Sequence, residues 1–203
     1  MGGGARTAYQ AGALQAIGQL LRGLTALGQR VNLVIVADHG MAAVSEARVV
    51  RLDRFADPAD FVLVEDGPFA SFNAVAGHES ALEATIAKAP EHVQCWPKAQ
   101  IPARFRYGQH PRVPAYLCLA ETGWLVLGKE SKKAPHGGTH GFDNLSPDMA
   151  ALFIATGPSI RQRATLPAFD NVDVEPLIRD LIGLPARKER DGDDAPFRKA
   201  LKR

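Results

Sequence analysis

The most restrictive segment is Val31-Asn-Leu-Val-Ile-Val-Ala37, which runs directly into Asp38-His39-Gly40-Met41. It is short, almost unbroken in apolar character and rich in β-branched residues. Such a run fits a strand buried on both faces, as in a parallel sheet. It is far too short to cross a membrane. Its polar residues sit at the carboxyl end of the strand, where open α/β sheets place their ligands. Before it, Leu14, Ile17, Leu21, Leu24 and Leu27 recur at helical spacing, which predicts an amphipathic helix over residues 7–29. The expected class is therefore α/β.

A second buried strand is expected over residues 150–155, followed by a second amphipathic helix over 171–184 with Val174, Leu177, Ile178, Leu181 and Ile182 on one face. The stretch between the two core segments reads differently. Residues 61–65, 69–75, 115–120 and 124–127 are short strand-like pieces, and residues 80–88 form one helix candidate. Pro97, Pro102, Pro111 and Pro114 confine the remainder to loops and edge strands. This predicts a smaller inserted α+β unit over residues 44–127, with the main core from residues 1–43 and 128–185. Residues 129–144 read as a polar, glycine-rich loop, and the charged tail, residues 186–203, reads as exposed or partly frayed.

With 24 Lys plus Arg against 22 Asp plus Glu, the net charge of +2 gives no electrostatic signal for nucleic-acid binding. No signal peptide is visible at the start. Cys95 and Cys118 have neither a metal-type spacing nor a disulfide framework, so their pairing and the compartment stay open. No GxSxG elbow, phosphate loop or dinucleotide fingerprint is present.

Two local patterns carry chemistry. Asp38 and His39 offer a carboxylate and an imidazole, both good zinc donors, at a strand end where the backbone turns and the two can converge. The bland reading is a turn aspartate beside a hydrogen-bonded histidine. Gly138-Thr-His140-Gly-Phe-Asp143-Asn144 leaves the ring of His140 free to turn toward a metal, with Asp143 and Asn144 placed to bond the loop or to orient a ligand ring. The bland reading here is a glycine-rich turn. His136 reads as a loop residue with a substrate-facing role open. His78, His92 and His110 read as surface histidines without partners.

Taken in order, the motifs resemble one family. Val34-Ile-Val-Ala-Asp38-His39-Gly40-Met41 is similar to its metal-binding strand end, and Gly138-Thr-His140-Gly-Phe-Asp-Asn144 to its later histidine loop. Met149-Ala-Ala-Leu-Phe-Ile-Ala155-Thr-Gly157-Pro158 resembles the strand and turn that follow. Phe169-Asp-Asn171-Val172-Asp-Val174-Glu-Pro176-Leu177 resembles the start of its closing helix, and Gly183-Leu-Pro185 the end. Ile101-Pro-Ala-Arg-Phe-Arg-Tyr107, and the stretch from Arg112 to Trp124, resemble its middle unit. The family is the nucleotide pyrophosphatase/phosphodiesterases, or type I phosphodiesterases, of the alkaline phosphatase superfamily. Ala37 stands where the family commonly has Ser, and Glu175 where it commonly has Tyr.

The resemblance implies an alkaline-phosphatase-like sheet sandwiched by helices, here in part, and a site of two zinc ions. By resemblance Asp38 and His39 bind the zinc that activates a threonine nucleophile, and His140 binds the other. The family's threonine and three further metal ligands precede the region resembled here. The expectation is therefore a carboxyl-terminal half, truncated or completed by a second chain. Three functions follow: a zinc-dependent phosphodiester or pyrophosphate hydrolase, a noncatalytic fragment or interaction module, or another metal-dependent phosphatase or sulfatase of the superfamily. The implied substrate is a nucleotide or other phosphodiester, including lipid phosphodiesters. The implied location is periplasmic or extracellular.

Overall fold

The computed structural model describes residues 3–161 and 165–202. In chain order its elements are α1 (Gly3–Ala26), β1 (Leu33–Val36), β2 (Ala42–Val44), β3 (Val49–Arg51), β4 (Phe61–Glu65), β5 (Phe69–Ala74), α2 (Glu79–Ile86), β6 (Val93–Pro97), β7 (Tyr116–Ala120), β8 (Leu125–Leu127), β9 (Gly137–Thr139), β10 (Phe153–Thr156) and α3 (Val174–Ile182). The chain divides at 36/37 and 152/153 into two units. The sequence-based division lies at 43/44 and 127/128.

The unit of residues 37–152 is built on a four-stranded antiparallel sheet in the order β4-β5-β7-β6. The proline-rich segment supplies an edge, as its composition requires: β6 lies outermost and ends at Pro97, where a missing N–H costs no ladder bond. Phe72 on the central β5 is fully buried. Its ring lies 5.4 Å from Phe61 and 5.8 Å from Tyr116, so cross-strand aromatics form the middle of the core. Helix α2 adds Leu82 and Ile86 to this cluster, with Leu52 and Val126 completing it. The Tyr116 hydroxyl donates to Glu83 on the same helix at 3.1 Å. Among the described residues one strand pair is parallel, β3 with β8. A short antiparallel ribbon, β2 with β9, has the register Ala42↔Thr139.

Cys95 and Cys118 face each other directly in the β6–β7 register and form a disulfide. The question that spacing leaves open is decided by register: over a separation of 23 residues the chain leaves the rung and returns to it. The bond fastens an edge strand to the centre of the sheet.

The second unit comprises the segments flanking residues 37–152. Here β1 pairs antiparallel with β10, in register Leu33↔Thr156 through Val36↔Phe153. The expected parallel sheet with two buried faces is not what β1 forms among the described residues. Val36 and Ile154 are exposed, so the apolar composition of the strand exceeds what its one described neighbour covers. The side chain of Leu14 lies outside the described residues; Ile17, Leu21 and Leu24 of the same stripe are half-buried.

Residues 186–191 of the tail are exposed, as expected, while its end is packed. Phe197 is almost completely buried and packs at 5.4 Å from Phe153 and 4.7 Å from Phe169. Arg161 N–H donates to the Ala200 carbonyl at 2.7 Å, and Lys202 N–H to Ser159 at 2.8 Å. The ring of Phe197, worth about 1.5–3 kcal/mol when buried, anchors the end of the segment together with buried Ala200 and these backbone bonds. Helix α3 buries Leu177 and Pro176, the proline sitting in the first turn where it breaks no helical bond.

Replacing both cysteines by alanine is expected to destabilise the chain by about 2–5 kcal/mol, because the bond removes loop entropy from the unfolded chain. Urea unfolding of the two proteins, with constant slope, measures this.

Candidate metal centre

All six candidate residues belong to the unit of residues 37–152. Asp38 and His39 occupy the turn before β2, while His140 follows β9 immediately. Because Ala42 pairs with Thr139, the ribbon sets the residues just before β2 beside the residue just after β9. The rings of His39 and His140 consequently stack, with centroids 3.6 Å apart and planes inclined by 15°. This is where the expected polar loop differs most from the structure. Residues 137–139 are a strand, and the pairing of that strand is what delivers His140.

The local geometry of Asp38 and His39 is specific. The His39 backbone N–H donates to Asp38 Oδ1 at 3.1 Å, which folds the carboxylate back over the turn. The second carboxylate oxygen, Oδ2, lies 3.4 Å from His39 Nε2. The other ring nitrogen, Nδ1, lies 2.8 Å from the Gly40 carbonyl. Asp38 is largely exposed and His39 about one-third exposed.

Zinc binds imidazole nitrogen and carboxylate oxygen at about 2.0–2.1 Å, so two ligands on one tetrahedral ion stand about 3.3 Å apart. The separation of Nε2 and Oδ2 matches that edge. Two residues do not complete a site: among the described residues no group of three or more His, Cys, Asp or Glu side chains is arranged to hold a metal ion. The donor set therefore fits part of a zinc site.

Asp143 and Asn144 serve the loop differently. Gly141 turns the chain with φ of 101°, a conformation that side chains rarely adopt. Beyond it, Asp143 receives both guanidinium nitrogens of Arg104, at 2.7 and 2.5 Å, and the Leu145 N–H at 3.0 Å. The Arg104 guanidinium holds the Asp143 carboxyl below its ordinary range, against the opposing effect of burial; the Leu145 N–H adds to the lowering. Asp143 thus bonds its own loop and ties it to the segment of Ala103–Phe105. Arg104 is legible in the sequence only as part of a resemblance; its partner lies 39 residues away, and nothing local announces the pairing. Asn144 and His136 are exposed.

The remaining histidines have partners, contrary to expectation. His78 Nδ1 lies 2.7 Å from Asp60 Oδ1. His92 Nδ1 lies 2.6 Å from Glu121, and its ring stacks on Trp124 at 3.7 Å. The Arg112 N–H donates to His110 Nδ1 at 3.2 Å. All of these partners are distant in sequence except the last, so spacing carries no sign of them.

The family model described as type I phosphodiesterase / nucleotide pyrophosphatase matches residues 15–143, which include Asp38, His39 and His140. The chain belongs to this family. It is 29% identical over 160 residues to human ectonucleotide pyrophosphatase/phosphodiesterase family member 5, covering 79% of this chain and 33% of that protein. To bovine bis(5'-adenosyl)-triphosphatase it is 32% identical over 171 residues, covering 83% and 37%. The solved structure of human ectonucleotide pyrophosphatase/phosphodiesterase 5 superimposes with a TM-score of 0.84 at 26% identity, over 93% of this chain and 50% of that one. An inactive threonine-to-alanine variant of the murine protein, in complex with AMP, superimposes with a TM-score of 0.82 at 29% identity. The chain thus spans about a third of these curated relatives and half of these solved chains. Its fold is a mixed α/β arrangement corresponding to part of the alkaline-phosphatase-like fold. Among the described residues no helix is long and apolar enough to cross a membrane.

The lowered Asp143 carboxyl has a consequence for stability. A depressed folded-state pKa contributes stability that is complete above the unfolded value of about 3.9 and is lost as pH falls through the lower folded value. Arg104→Gln is therefore expected to unfold at a lower temperature than the parent chain at neutral pH. The gap is expected to close progressively below about pH 4. Thermal unfolding across a pH series checks both.

Proposed function

We propose that this chain contributes part of the two-zinc site of a phosphodiester or pyrophosphate hydrolase, with Asp38 and His39 on one ion and His140 on the other. The observation that carries the reading is the His39–His140 stack. The near-parallel rings are 3.6 Å apart, and two-metal hydrolytic sites hold their ions about 3.5–4 Å apart. One ring per ion suits that spacing better than two rings on a single ion. The match of Nε2 and Oδ2 to a zinc-ligand edge supports the placing of Asp38 with His39.

When bound, such a pair of cations neutralises charge on the attacking and leaving oxygens of a phosphoryl transfer. The chain's own residues do the rest. Asp38 and His39 hold their donor atoms on one side of the turn, and His140 holds its ring parallel to that of His39. Arg104 and Asp143 fix the loop that follows His140, which limits the excursions of that ring. The nucleophilic threonine and the three further ligands implied by the family resemblance would be supplied by the remainder of the fold. That remainder is either elsewhere on the same polypeptide or on a second chain. The AMP bound by the murine relative and the bis(5'-adenosyl)-triphosphatase activity named for the bovine one favour a nucleotide phosphodiester or pyrophosphate as substrate.

A noncatalytic reading has its own support. Among the described residues no complete metal cluster is present, so the chain by itself supplies two donors to one ion and one to the other. Hydrolysis of a p-nitrophenyl phosphodiester with added zinc separates the two. The hydrolase reading expects turnover that Asp38→Ala and His140→Ala each reduce at least about tenfold, measured with the remainder of the fold present. Folded, zinc-supplemented protein whose rate is unaffected by either substitution would refute it.

A further inference from the structure

We infer that Gly40 is the positioning residue of the candidate centre: its carbonyl fixes the tautomer of His39, and its missing side chain is what lets that carbonyl sit where it does. The inference rests on the metal-site reading above for its purpose, while its geometry stands on hydrogen bonds already formed within residues 37–152.

A carbonyl oxygen only accepts hydrogen bonds. His39 Nδ1, 2.8 Å from the Gly40 carbonyl, must therefore carry the proton. In the neutral ring this leaves the lone pair on Nε2, the atom that faces Asp38 Oδ2 at 3.4 Å. Main-chain geometry alone thus turns the metal-binding nitrogen toward the carboxylate. Metal-bound histidines are commonly oriented by a hydrogen bond from the other ring nitrogen; here the acceptor is the next residue in the chain.

The carbonyl is placed by close backbone packing. Gly40 N–H donates to the Met149 carbonyl at 3.0 Å, and Ala37 N–H donates to Leu152 at 2.9 Å. These two bonds bracket Asp38 and His39 and fasten the turn to residues 149–152. A Cβ on Gly40 would lie 2.0 Å from the Asp148 carbonyl oxygen and 2.8 Å from that of Ala150. Both obstacles are main chain, so no rotamer change relieves the clash. Any side chain at position 40 has to push the turn away from residues 148–150, and the carbonyl under His39 moves with it. The Asp148 and Ala150 carbonyls therefore act as a template for the turn, and glycine is the one residue that fits it.

The test is a long-range nitrogen–proton NMR correlation on the metal-free chain with labelled histidine, at about two pH units above the ordinary imidazole pKa of 6.5. His39→Gln identifies the His39 signals. The expected spectrum shows His39 as the Nδ1–H tautomer. An Nε2–H tautomer, or an even mixture, would overturn the inference. Zinc titration then compares the parent chain with Gly40→Ala, for which zinc binding is expected to weaken about 10–100-fold. Unchanged zinc affinity in folded Gly40→Ala also overturns it. Should that variant fail to fold, the spectrum of the parent chain still decides. An Nδ1–H tautomer in the parent chain, with no zinc bound even when the remainder of the fold is present, would refute the metal-site reading while upholding the role of Gly40 on the ring. Zinc binding by a chain with the opposite tautomer would do the reverse.

Discussion

Three rungs of antiparallel pairing between Ala42–Val44 and Gly137–Thr139 hold the candidate centre together. The two histidines are about a hundred residues apart along the chain, and no helix or hairpin joins them. Their rings reach stacking distance because the ribbon closes that loop in one register. A one-residue slip would turn every side chain of the strand to the opposite face and carry His140 away from His39. Such a short ribbon contributes little by itself. On the β2 side it is anchored by Ala42 and Val44, which are buried in the same cluster as Phe61, Phe72 and Tyr116. The core of this unit thus acts as the scaffold on which the ribbon is correctly aligned.

Around the ribbon, long-range polar contacts fix what packing leaves free. The Arg104–Asp143 fork ties the loop after His140 to a segment 39 residues upstream, and its two parallel bonds specify orientation as well as distance. The backbone bonds at Ala37 and Gly40 do the same for the turn carrying Asp38 and His39. Each half of the centre is therefore held by a contact outside its own motif. This arrangement suits a site in which a small displacement of a donor atom weakens binding steeply.

The chain belongs to the type I phosphodiesterase / nucleotide pyrophosphatase family and corresponds to part of its solved structures. The chain aligns with half of the human relative's solved chain, and Val36 and Ile154 of its β1–β10 pair remain exposed. Strands with this composition normally bury both faces.

Local chemistry is legible in the sequence. The apolar run of residues 31–37 announces a strand, the glycines around His140 announce a turn, and the ordered motifs announce the family. These signals are readable because strand propensity and backbone freedom act over a few neighbouring residues. What they do not contain is pairing. Cys95 with Cys118, Arg104 with Asp143, His92 with Glu121 and His39 with His140 all depend on register and on the closure of long loops. The packed end of the tail is hidden for a related reason: charge dominates its composition, yet the ring of Phe197 packs on Phe153 and Phe169. Sequence alone determined which donors the chain possesses and which family it resembles. Tertiary structure alone decided which donors meet, because the geometry of a site is set by strand register and close backbone approach, and neither is encoded in any one stretch of residues.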